Sequence, residues 1–280
     1  MSQPYFIENP VSRTLLIPLI IRAQESYSSK GLFRDPAAEE AVARLPREVF
    51  DFSMHPFMRI GTAVRVRYFD DLIAAALAAS DHPVIVQLGC GLDTSFSRND
   101  KGRGLHINID LPEVIELREK LIPEANERCL NMATSILETA WMDELKNRYP
   151  DARFTFISQG VLMYFQEDEV RGFIRNLAAR FPGSELAFDT AGRKIAAMIN
   201  KKSAVSQLKA SLTWAYDDDG SLDAWHPRLR RLGRTYYFNQ FRSRWGIFCL
   251  MHFVPGLGKG SAMFHYAIDQ ELNNSEAPEA

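Results

Sequence analysis

Apolar residues recur at helical spacing through the first 80 residues and then give way to short continuous apolar runs. Helical periodicity is clear in LLIPLIIRAQESY, which begins at Leu15, and in AAEEAVARL and VRYFDDLIAAALAAS. This periodicity predicts helices. The sequence Asp81-His82-Pro83 interrupts it, because the residue before a proline disfavours helical backbone. Residues 1–80 are therefore predicted to form an N-terminal helical cap.

Beyond residue 81, short apolar runs alternate with amphipathic helical patterns such as LPEVIELREKL and QEDEVRGFIRNLAARF. Continuous apolar strands that alternate with helices predict a parallel sheet covered on both faces, which is an α/β fold. The core of this fold is predicted to occupy residues 81–189. The predicted strands are Val84–Leu88, Leu105–Ile109, Arg128–Met132, Phe154–Ser158 and Ser184–Asp189.

The C-terminal part of the chain departs from this alternation. Residues 190–232 are more polar and helical in pattern, which predicts a helical lid inserted above the sheet. Within residues 233–270, the segment WGIFCLMHFVPGLGKGSAMFHYAI predicts two antiparallel strands around a Pro-Gly-rich turn. The tail at 271–280 is predicted to be flexible. All these segments are interpreted as parts of one domain spanning residues 1–280.

Composition describes an ordinary globular protein, with 46% hydrophobic residues, 24% charged residues and a net charge of −2. No basic run predicts binding to nucleic acid or to an anionic membrane. The sparse cysteines Cys90, Cys129 and Cys249 indicate a reducing, cytoplasmic location without disulfides. The apolar run at 15–21 is short and contains Pro18, so it is interpreted as neither a signal peptide nor a membrane span.

A glycine loop follows the first predicted strand, at Gly89-Cys90-Gly91. Ligands bind beyond the carboxyl ends of strands in such sheets. A dinucleotide fingerprint needs a third glycine for the pyrophosphate, and Thr94 occupies that position. Asp110 ends the second strand about 20 residues after the loop, where a carboxylate can accept hydrogen bonds from ribose hydroxyls. The pattern predicts a nucleoside-bearing cofactor, and it leaves nicotinamide and adenosyl types both open.

Several longer motifs, in order, identify a family. The segments VRVRYFDD, VIVQLGCGLDTSF, INIDLPEVIELREKL, ATSILETAWMDEL and FISQGVLMYFQEDEV are followed by FPGSELAFDT, TWAYDDDGSLDAWHPRL and YYFNQFRSRWG. Together they resemble the leucine carboxyl methyltransferase family, and in particular its branch of tetracenomycin-type polyketide O-methyltransferases, over roughly residues 12–268. The resemblance implies a class I methyltransferase fold, which is a Rossmann-like, mostly parallel sheet of seven strands with an antiparallel last strand. It also implies S-adenosyl-L-methionine as cofactor and S-adenosyl-L-homocysteine as product.

The resemblance further implies roles for individual residues. Arg65 would grip the methionine carboxylate of the cofactor, which suits a planar guanidinium, whereas Arg67 is expected to face solvent or an ion-pair partner. Asp110 would bind the ribose. Asp93 is expected either to cap the following helix or to bind the methionine ammonium group. The predicted cofactor-binding residues are Arg65, Gly89, Cys90, Gly91, Asp93, Asp110, Leu111, Ser135, Ile136 and Gln159.

Two segments depart from the family pattern. The family usually has AEGVLMY where this chain has SQGVLMY, so Gln159 replaces a glutamate that would pair with the cofactor's ammonium group. Glutamine keeps an acceptor oxygen but lacks the charge, and weaker cofactor binding is expected. Ser135 and Ile136 stand where many relatives have a nearby aspartate that holds the adenine. A hydroxyl and backbone amides are expected to replace it. Lys30 occupies a position that is basic in some relatives, but a solvated lysine is the preferred interpretation.

The acceptor side is predicted from aromatic residues of the lid and of the N-terminal helices. Tyr27, Tyr164, Trp214 and Trp225 are the predicted substrate-binding residues, and Tyr216 is a further candidate. Such a wall would suit a flat or apolar acceptor. The alternative is that these aromatic residues form the core of the lid.

Candidate catalytic groups are few. Tyr164 is one, and His226 is the histidine proposed as a base. Asp217-Asp218-Asp219 is interpreted as a solvated turn, and no paired histidine spacing predicts a metal.

The predicted function is S-adenosyl-L-methionine-dependent O-methylation of a carboxylate or hydroxyl on a small, polyketide-like acceptor. A carboxylate is preferred because no set of residues predicts a general base. Methylation of a protein C-terminus is the first alternative. A nicotinamide-dependent reductase and a non-catalytic cofactor-binding protein are the others. The identity of the acceptor and the oligomeric state are left open.

Overall fold

A mixed β-sheet forms the centre of the protein. The structure is a computed structural model, and it describes residues 14–46, 55–254 and 257–271. In these residues the sheet has seven strands in the order β3-β2-β1-β4-β5-β7-β6. The first five strands pair in parallel, and β7 lies antiparallel between β5 and β6. The class I methyltransferase sheet is thereby confirmed. The predicted tail lies almost entirely outside the described residues. The strands are β1 (Pro83–Leu88), β2 (Leu105–Asp110), β3 (Cys129–Ala133), β4 (Arg153–Ser158), β5 (Glu185–Ala191), β6 (Leu229–Tyr236) and β7 (Ser261–Ile268).

Helices precede the sheet and connect its strands. Proline occupies the first position of α2, α3 and α5, where its missing N–H costs no hydrogen bond. None of the helices in the described part of the chain is long and apolar enough to cross a membrane. The α-helices are α1 (Leu16–Tyr27), α2 (Pro36–Ala43), α3 (Pro56–Ala78), α4 (Ser95–Asn99), α5 (Pro112–Leu121), α6 (Ala140–Arg148), α7 (Glu167–Arg180), α8 (Arg193–Lys201), α9 (Ala204–Gln207) and α10 (Arg242–Trp245).

Both faces of the sheet are covered, as the continuous apolar strands predict. On β1, Val84 and Val86 pack in a core with residues of α6 and α7, whereas Ile85 faces the core formed with α3. A third core joins α1 and α2 to α5 through Leu19 and Leu117. The N-terminal helices therefore pack onto the segments that surround the carboxyl ends of the strands.

The prediction for the C-terminal part was wrong in one element. Gly246–Phe253, predicted as a strand, is a 3-10 helix, because an apolar run without period does not distinguish a strand from a helical segment. The partner of β7 is instead β6, which lies at the end of the segment predicted as a helical lid. Its arginines, including Arg230 and Arg234, obscured the strand pattern, and charged side chains are typical of edge strands. Helices α8 and α9 account for the first part of that segment.

One buried titratable group lies in the core beside the first parallel strands. His106 on β2 is 1% exposed, and neither ring nitrogen has a hydrogen-bond partner among the described residues. Burial lowers the pKa of its imidazole to about 4. The imidazole is therefore neutral in the folded protein at neutral pH.

We expect His106 to make folding sensitive to mild acid. The unfolded chain binds this proton near pH 6.5 and the folded chain only near pH 4, so the stabilisation present above pH 6.5 is lost as the pH falls toward 4. Between pH 7.5 and pH 4.5, the loss amounts to about 2.5 kcal/mol. Urea unfolding of His106→Leu should show a smaller fall in unfolding free energy than the wild type. The exposed His82→Leu serves as control, and an equal pH dependence in all three proteins would contradict the assignment.

Candidate functional site

A cavity of about 440 Å³ opens at the carboxyl ends of β1, β2, β4 and β5. The strand order reverses between β1 and β4, and ligands of doubly wound sheets bind at such a switch point. Helices α1, α3 and α8 contribute the opposite wall. The cavity brings together the whole predicted cofactor-binding set, which is Arg65, Gly89, Cys90, Gly91, Asp93, Asp110, Leu111, Ser135, Ile136 and Gln159.

Asp110 is held by backbone amides at the floor of the cavity. Its Oδ2 accepts a hydrogen bond from the Gly91 N–H at 2.7 Å and its Oδ1 from the Leu111 N–H at 2.8 Å. Burial raises the pKa of this carboxyl group. Because each carboxylate oxygen offers about two acceptor positions, both oxygens can also accept hydrogen bonds from adjacent hydroxyls of a ribose.

The glycine loop has a tighter packing requirement than the sequence suggested. Gly89 has φ +65°, and a Cβ there would lie 2.6 Å from the Val161 side chain. Glycine at this position therefore lets the loop after β4 pack on the loop after β1, and a side chain would be strained in any case. Gly91, with φ +50°, lies against Leu15 of the N-terminal cap.

Thr94 replaces the third glycine of a dinucleotide loop for an evident structural reason. It is fully buried, and its hydroxyl donates a hydrogen bond to Asp35 Oδ2 at 2.6 Å. Asp35 in turn caps α2 by accepting a hydrogen bond from the Ala38 N–H. The side chain at position 94 therefore ties the cofactor loop to the N-terminal cap.

Asp93 faces the cavity and does not cap the following helix, whose N-cap residue is Thr94. Its Oδ1 accepts from the Thr94 N–H at 2.7 Å and from Arg98 Nη2 at 3.0 Å. Its Oδ2 accepts a hydrogen bond from Gln159 Nε2 at 3.0 Å. Burial opposes the charge, but Arg98 and Arg22 outweigh it and hold the pKa of Asp93 below its ordinary value.

Arg65 projects from α3 into the turn after β4. Its Nη1 lies 3.2 Å from Asp189 Oδ2, and a Cβ at Gly160 would collide with the guanidinium. Burial opposes the charge, but Asp189 raises the pKa of Arg65 above its ordinary value. The Nε atom is buried and has no hydrogen-bond partner among the described residues. Arg65 lines the cavity, so the site presents a guanidinium group to the carboxylate of the predicted cofactor.

Asp189 and Tyr237 belong to the site, and the sequence analysis missed both. The Tyr237 hydroxyl donates to Asp189 Oδ2 at 2.8 Å, and the Gly160 N–H donates to Oδ1 at 2.5 Å. Burial and the nearby Asp189 raise the pKa of Tyr237 well above its usual value. Asp189 lies near the end of its strand, as Asp110 does, so this signal was available. Tyr237 lies in a short 3-10 turn and carries no comparable signal.

The predicted acceptor residues are not gathered at the cavity, with the exception of Tyr164. Trp214, Trp225 and Tyr216 pack in the core that also contains residues of α6 and α7, which corresponds to the alternative that they form core. Tyr27 is 71% exposed at the end of α1. None of these four residues lines the cavity. The structure therefore does not bring Tyr27, Trp214 and Trp225, the predicted substrate-binding residues, to the cavity.

His226 was proposed from the sequence as a catalytic base. It lies outside the cavity, and its Nδ1 accepts a hydrogen bond from the Arg228 N–H at 3.2 Å. Burial, with Arg228 and Arg175 nearby, lowers the pKa of its imidazole. The His226 side chain is thus engaged in a local turn.

The remaining candidates have local roles. Lys30 is exposed and does not line the cavity, and Arg67 pairs with Asp71 at 2.7 Å, as expected for an ion-pair residue. Asp218 is not solvated but buried, and its partners are Arg231, Arg234 and Tyr236. Among the residues that the structure describes, no group of three or more His, Cys, Asp or Glu side chains could hold a metal.

Sequence and structure comparisons place these features in one family. The sequence profile of the leucine carboxyl methyltransferase family matches residues 16–178, more than half of the chain. The chain is 27% identical over 229 residues to the tetracenomycin polyketide synthesis O-methyltransferase TcmP of Streptomyces glaucescens, with 79% of this chain and 80% of that protein covered. A Parafrankia sp. protein, named as one of the S-adenosyl-L-methionine-dependent methyltransferases, is 27% identical, with 77% and 74% covered.

Solved structures support the fold. A DUF574 family protein from Streptomyces avermitilis superposes with a TM-score of 0.53 at 13% identity, covering 89% of this chain and 96% of that one. Geranyl diphosphate C-methyltransferase from Streptomyces coelicolor superposes with a TM-score of 0.50 at 12% identity, with 89% and 97% covered. The chain therefore belongs to the leucine carboxyl methyltransferase family and is an S-adenosyl-L-methionine-dependent methyltransferase.

Proposed function

We propose that this methyltransferase methylates an oxygen atom, specifically the carboxylate of a small, largely apolar acceptor. The observation that carries the proposal is the part of the cavity away from the predicted cofactor residues. Its wall is apolar and aromatic, and no histidine of the described residues lines it. The residues of this apolar part are Phe57, Met58, Met163, Ile195, Ile199, Val205, Leu212, Phe238 and Trp245.

The polar part of the cavity is suited to hold the cofactor. The Arg65 guanidinium would pair with the cofactor's carboxylate, and Asp110 would accept hydrogen bonds from the ribose hydroxyls. Ser135 and Ile136, directly after β3, would border the adenine. The bound cofactor supplies a methyl group attached to a positively charged sulfur. These assignments leave the apolar part of the cavity to the acceptor.

Among the residues that the structure describes, no titratable group beside this apolar part is suited to remove a proton at neutral pH. Burial raises the pKa of Tyr164 and of Tyr237, and it also raises that of the Cys90 thiol. The Asp189 carboxylate already accepts hydrogen bonds from the Gly160 N–H, Arg65 and Tyr237. A phenol, whose pKa is about 10, needs a base before it can attack.

A carboxylate acceptor needs no base, because free carboxyl groups titrate near ~4. The protein then contributes mainly by holding the acceptor oxygen in line with the methyl group, an effect that can supply roughly 7–11 kcal/mol. The apolar wall also removes water from the acceptor carboxylate, which increases its nucleophilicity. Both effects require only the shape and the apolar character of the cavity.

The relative TcmP supports a polyketide-like acceptor, because its name describes an O-methyltransferase of polyketide synthesis. Methylation of a protein C-terminus keeps the same chemistry and is an outcome that the acceptor screen below can detect. The nicotinamide-dependent alternative is set aside, because the chain belongs to a methyltransferase family.

Replacement of Asp110 by alanine should weaken binding of every ligand that carries the adenosine ribose. Loss of hydrogen bonds to a charged acceptor, each worth about 1.5–3 kcal/mol, should lower the affinity for S-adenosylhomocysteine at least tenfold. Calorimetric titration would measure this. 5′-Methylthioadenosine, which retains the ribose, should lose affinity equally. A thermal unfolding curve controls for the fold, and an Asp110→Ala protein with unchanged affinity would remove the ribose assignment.

Aromatic carboxylic acids should be methylated, and phenols with the same ring system should not. Transfer of labelled methyl groups from S-adenosylmethionine would be followed for each pair, for example 2-naphthoic acid and 2-naphthol. An ester releases methanol in alkali and an aryl ether does not, which identifies the methylated oxygen. The rate with the acid should stay constant from pH 6 to 9. Turnover of the phenol alone, with a rate that rises with pH, would refute the carboxylate proposal.

Other outcomes of the same screen have defined meanings. Methylation confined to a peptide with a free C-terminal carboxylate would replace the small acceptor by a protein. Binding of both adenosyl ligands without turnover of any acid, phenol or peptide would indicate a non-catalytic binding protein.

Replacement of His226 by asparagine should leave kcat/KM within twofold of the wild type, because the imidazole lies outside the cavity. A matched variant inside the cavity is Ile199→Trp on α8, where the added volume should raise the KM for the acceptor. Affinity for S-adenosylhomocysteine should stay unchanged in both variants. A large loss of kcat in His226→Asn, with normal folding and cofactor affinity, would restore the histidine as a catalytic residue.

A further inference from the structure

One glycine interrupts the side chains of α3 where this helix lines the cavity. Phe57, Gly61 and Arg65 all line the cavity, and they stand four residues apart, so they share one face of the helix. At about 1.5 Å per residue, roughly 6 Å of helix separates each of them from the next. Arg65 belongs to the polar part of the cavity and Phe57 to its apolar part. Gly61 therefore lies at the border between the two parts.

The backbone of α3 does not require glycine at this position. Gly61 lies inside the helix, and it is not among the glycines that have a positive φ. Glycine in a helix interior is less favourable than alanine, because it loses more conformational freedom on folding. A structural reason for this glycine would therefore have to come from the side chains packed around it.

The surrounding side chains do not require glycine either. Among the described residues, a Cβ atom at position 61 would lie nearest to Trp245 Cη2, at 3.6 Å, and to Tyr237 Cδ1, at 3.8 Å. Both are ordinary van der Waals distances, whereas a Cβ at Gly89 would lie 2.6 Å from its neighbour. Alanine would thus fit at position 61 without displacing either ring. The missing side chain instead leaves volume open in the cavity.

The rings opposite Gly61 are held in place. The Trp245 indole donates a hydrogen bond from Nε1 to a backbone carbonyl at 3.0 Å, and the Tyr237 hydroxyl donates to a carboxylate at 2.8 Å. The indole also packs on Phe238 and Phe57, with ring centroids 4.7 and 5.5 Å apart. Because these contacts fix the rings, a long side chain at position 61 would extend into the cavity.

Such a side chain would extend toward the apolar part of the cavity. Cα–Cβ bonds in an α-helix tilt toward its N-terminus, which on α3 means from Gly61 toward Phe57 and away from Arg65. The rings of Phe57, Phe238 and Trp245 line that part of the cavity. The residue at position 61 therefore controls the space beside these rings and leaves the Arg65 side unchanged.

We propose that Gly61 is a specificity-determining residue, which admits a planar acceptor of at least two fused aromatic rings. A flat ring system can lie along the helix face where the side chain is missing, and it can contact the neighbouring rings edge-to-face or in offset stacks. This inference rests on the proposed function, because the apolar part of the cavity must receive the acceptor. It does not depend on which acceptor oxygen is methylated.

The first test compares two acceptors in Gly61→Leu. 2-Naphthoic acid has two fused rings, whereas benzoic acid has one ring and the same carboxylate. The KM for 2-naphthoic acid should rise at least about tenfold, because added side-chain volume excludes the second ring. The KM for benzoic acid should rise less than threefold, and the affinity for S-adenosylhomocysteine should stay within twofold of the wild type. An equal rise for both acids, or no rise for either, would overturn the proposal.

Gly172→Leu on α7 is the matched control, because Gly172 also lies inside a helix but does not line the cavity. An added Cβ there would meet no described atom within 4 Å. The KM for both acids should stay within twofold of the wild type. A selective loss of 2-naphthoic acid in this variant, as large as in Gly61→Leu, would assign the effect to the helices in general and overturn the role of Gly61.

The second test uses thermal unfolding and needs no acceptor. The Tm of Gly61→Ala should exceed that of the wild type by about 2 °C, because alanine favours the helix and its Cβ makes only ordinary contacts. Gly172→Ala should show a similar gain. A Tm of Gly61→Ala below that of the wild type would show that packing against Trp245 requires glycine, and it would overturn the proposal.

Failure of the carboxylate proposal would be distinguishable from failure of this inference. If phenols are methylated and acids are not, the KM values for phenol and 2-naphthol in Gly61→Leu supply the same comparison of size. If no acceptor is turned over, the calorimetric affinities of the two acids for the complex with S-adenosylhomocysteine supply it. In each case, a loss confined to the fused-ring compound would support the role of Gly61, and equal losses would overturn it.

Discussion

The cofactor site depends most on the ion pairs that the Arg98 guanidinium forms with three carboxylates. It joins α3 through Asp70, the start of α2 through Asp35, and the glycine loop through Asp93. Burial alone would lower the pKa of Arg98, and the carboxylates raise it well above its ordinary value. Removal of one partner from a buried ion pair typically costs about 3–5 kcal/mol. Arg98 therefore holds the N-terminal cap and the glycine loop in one arrangement, together with the Thr94–Asp35 hydrogen bond.

The sheet positions the residues of the cavity, and the N-terminal cap encloses them. Backbone amides after β1 and β2 fix Asp110, and the turn after β4 is fixed by hydrogen bonds from Gln159 to Asp93 and from the Gly160 N–H to Asp189. These loops lie at the switch point that any sheet of this order creates. The cap then closes over them, and Thr94 bonds to Asp35 where a dinucleotide protein has glycine. The same substitution that argues against a pyrophosphate thus ties the glycine loop to the N-terminal cap.

The sequence predicted best those features that are determined by local pattern. Five parallel strands are evident from apolar runs, and Asp110 is marked by its place at a strand end. The position of Trp214 and Trp225 depends on which side of the sheet the lid packs, and no local pattern contains that information. Gly246–Phe253 is apolar without a period, so its helical turn was not predictable. Asp189 shows a different limit of prediction from sequence. Its place at a strand end was visible, but its partners Arg65 and Tyr237 are distant in sequence.

The apolar part of the cavity also distinguishes between possible acceptors by the charge of the acceptor oxygen. Methyl transfer to a carboxylate consumes a cation and an anion together and leaves two uncharged groups at the reacting centre. Opposite charges lose solvation in an apolar environment, and the transition state of such a transfer already has less charge than the reactants. Apolar residues such as Ile195 and Leu212 then favour the reaction without a proton acceptor. A neutral phenol offers no such compensation, because its reaction generates a proton that this wall, in the described residues, has no histidine to receive.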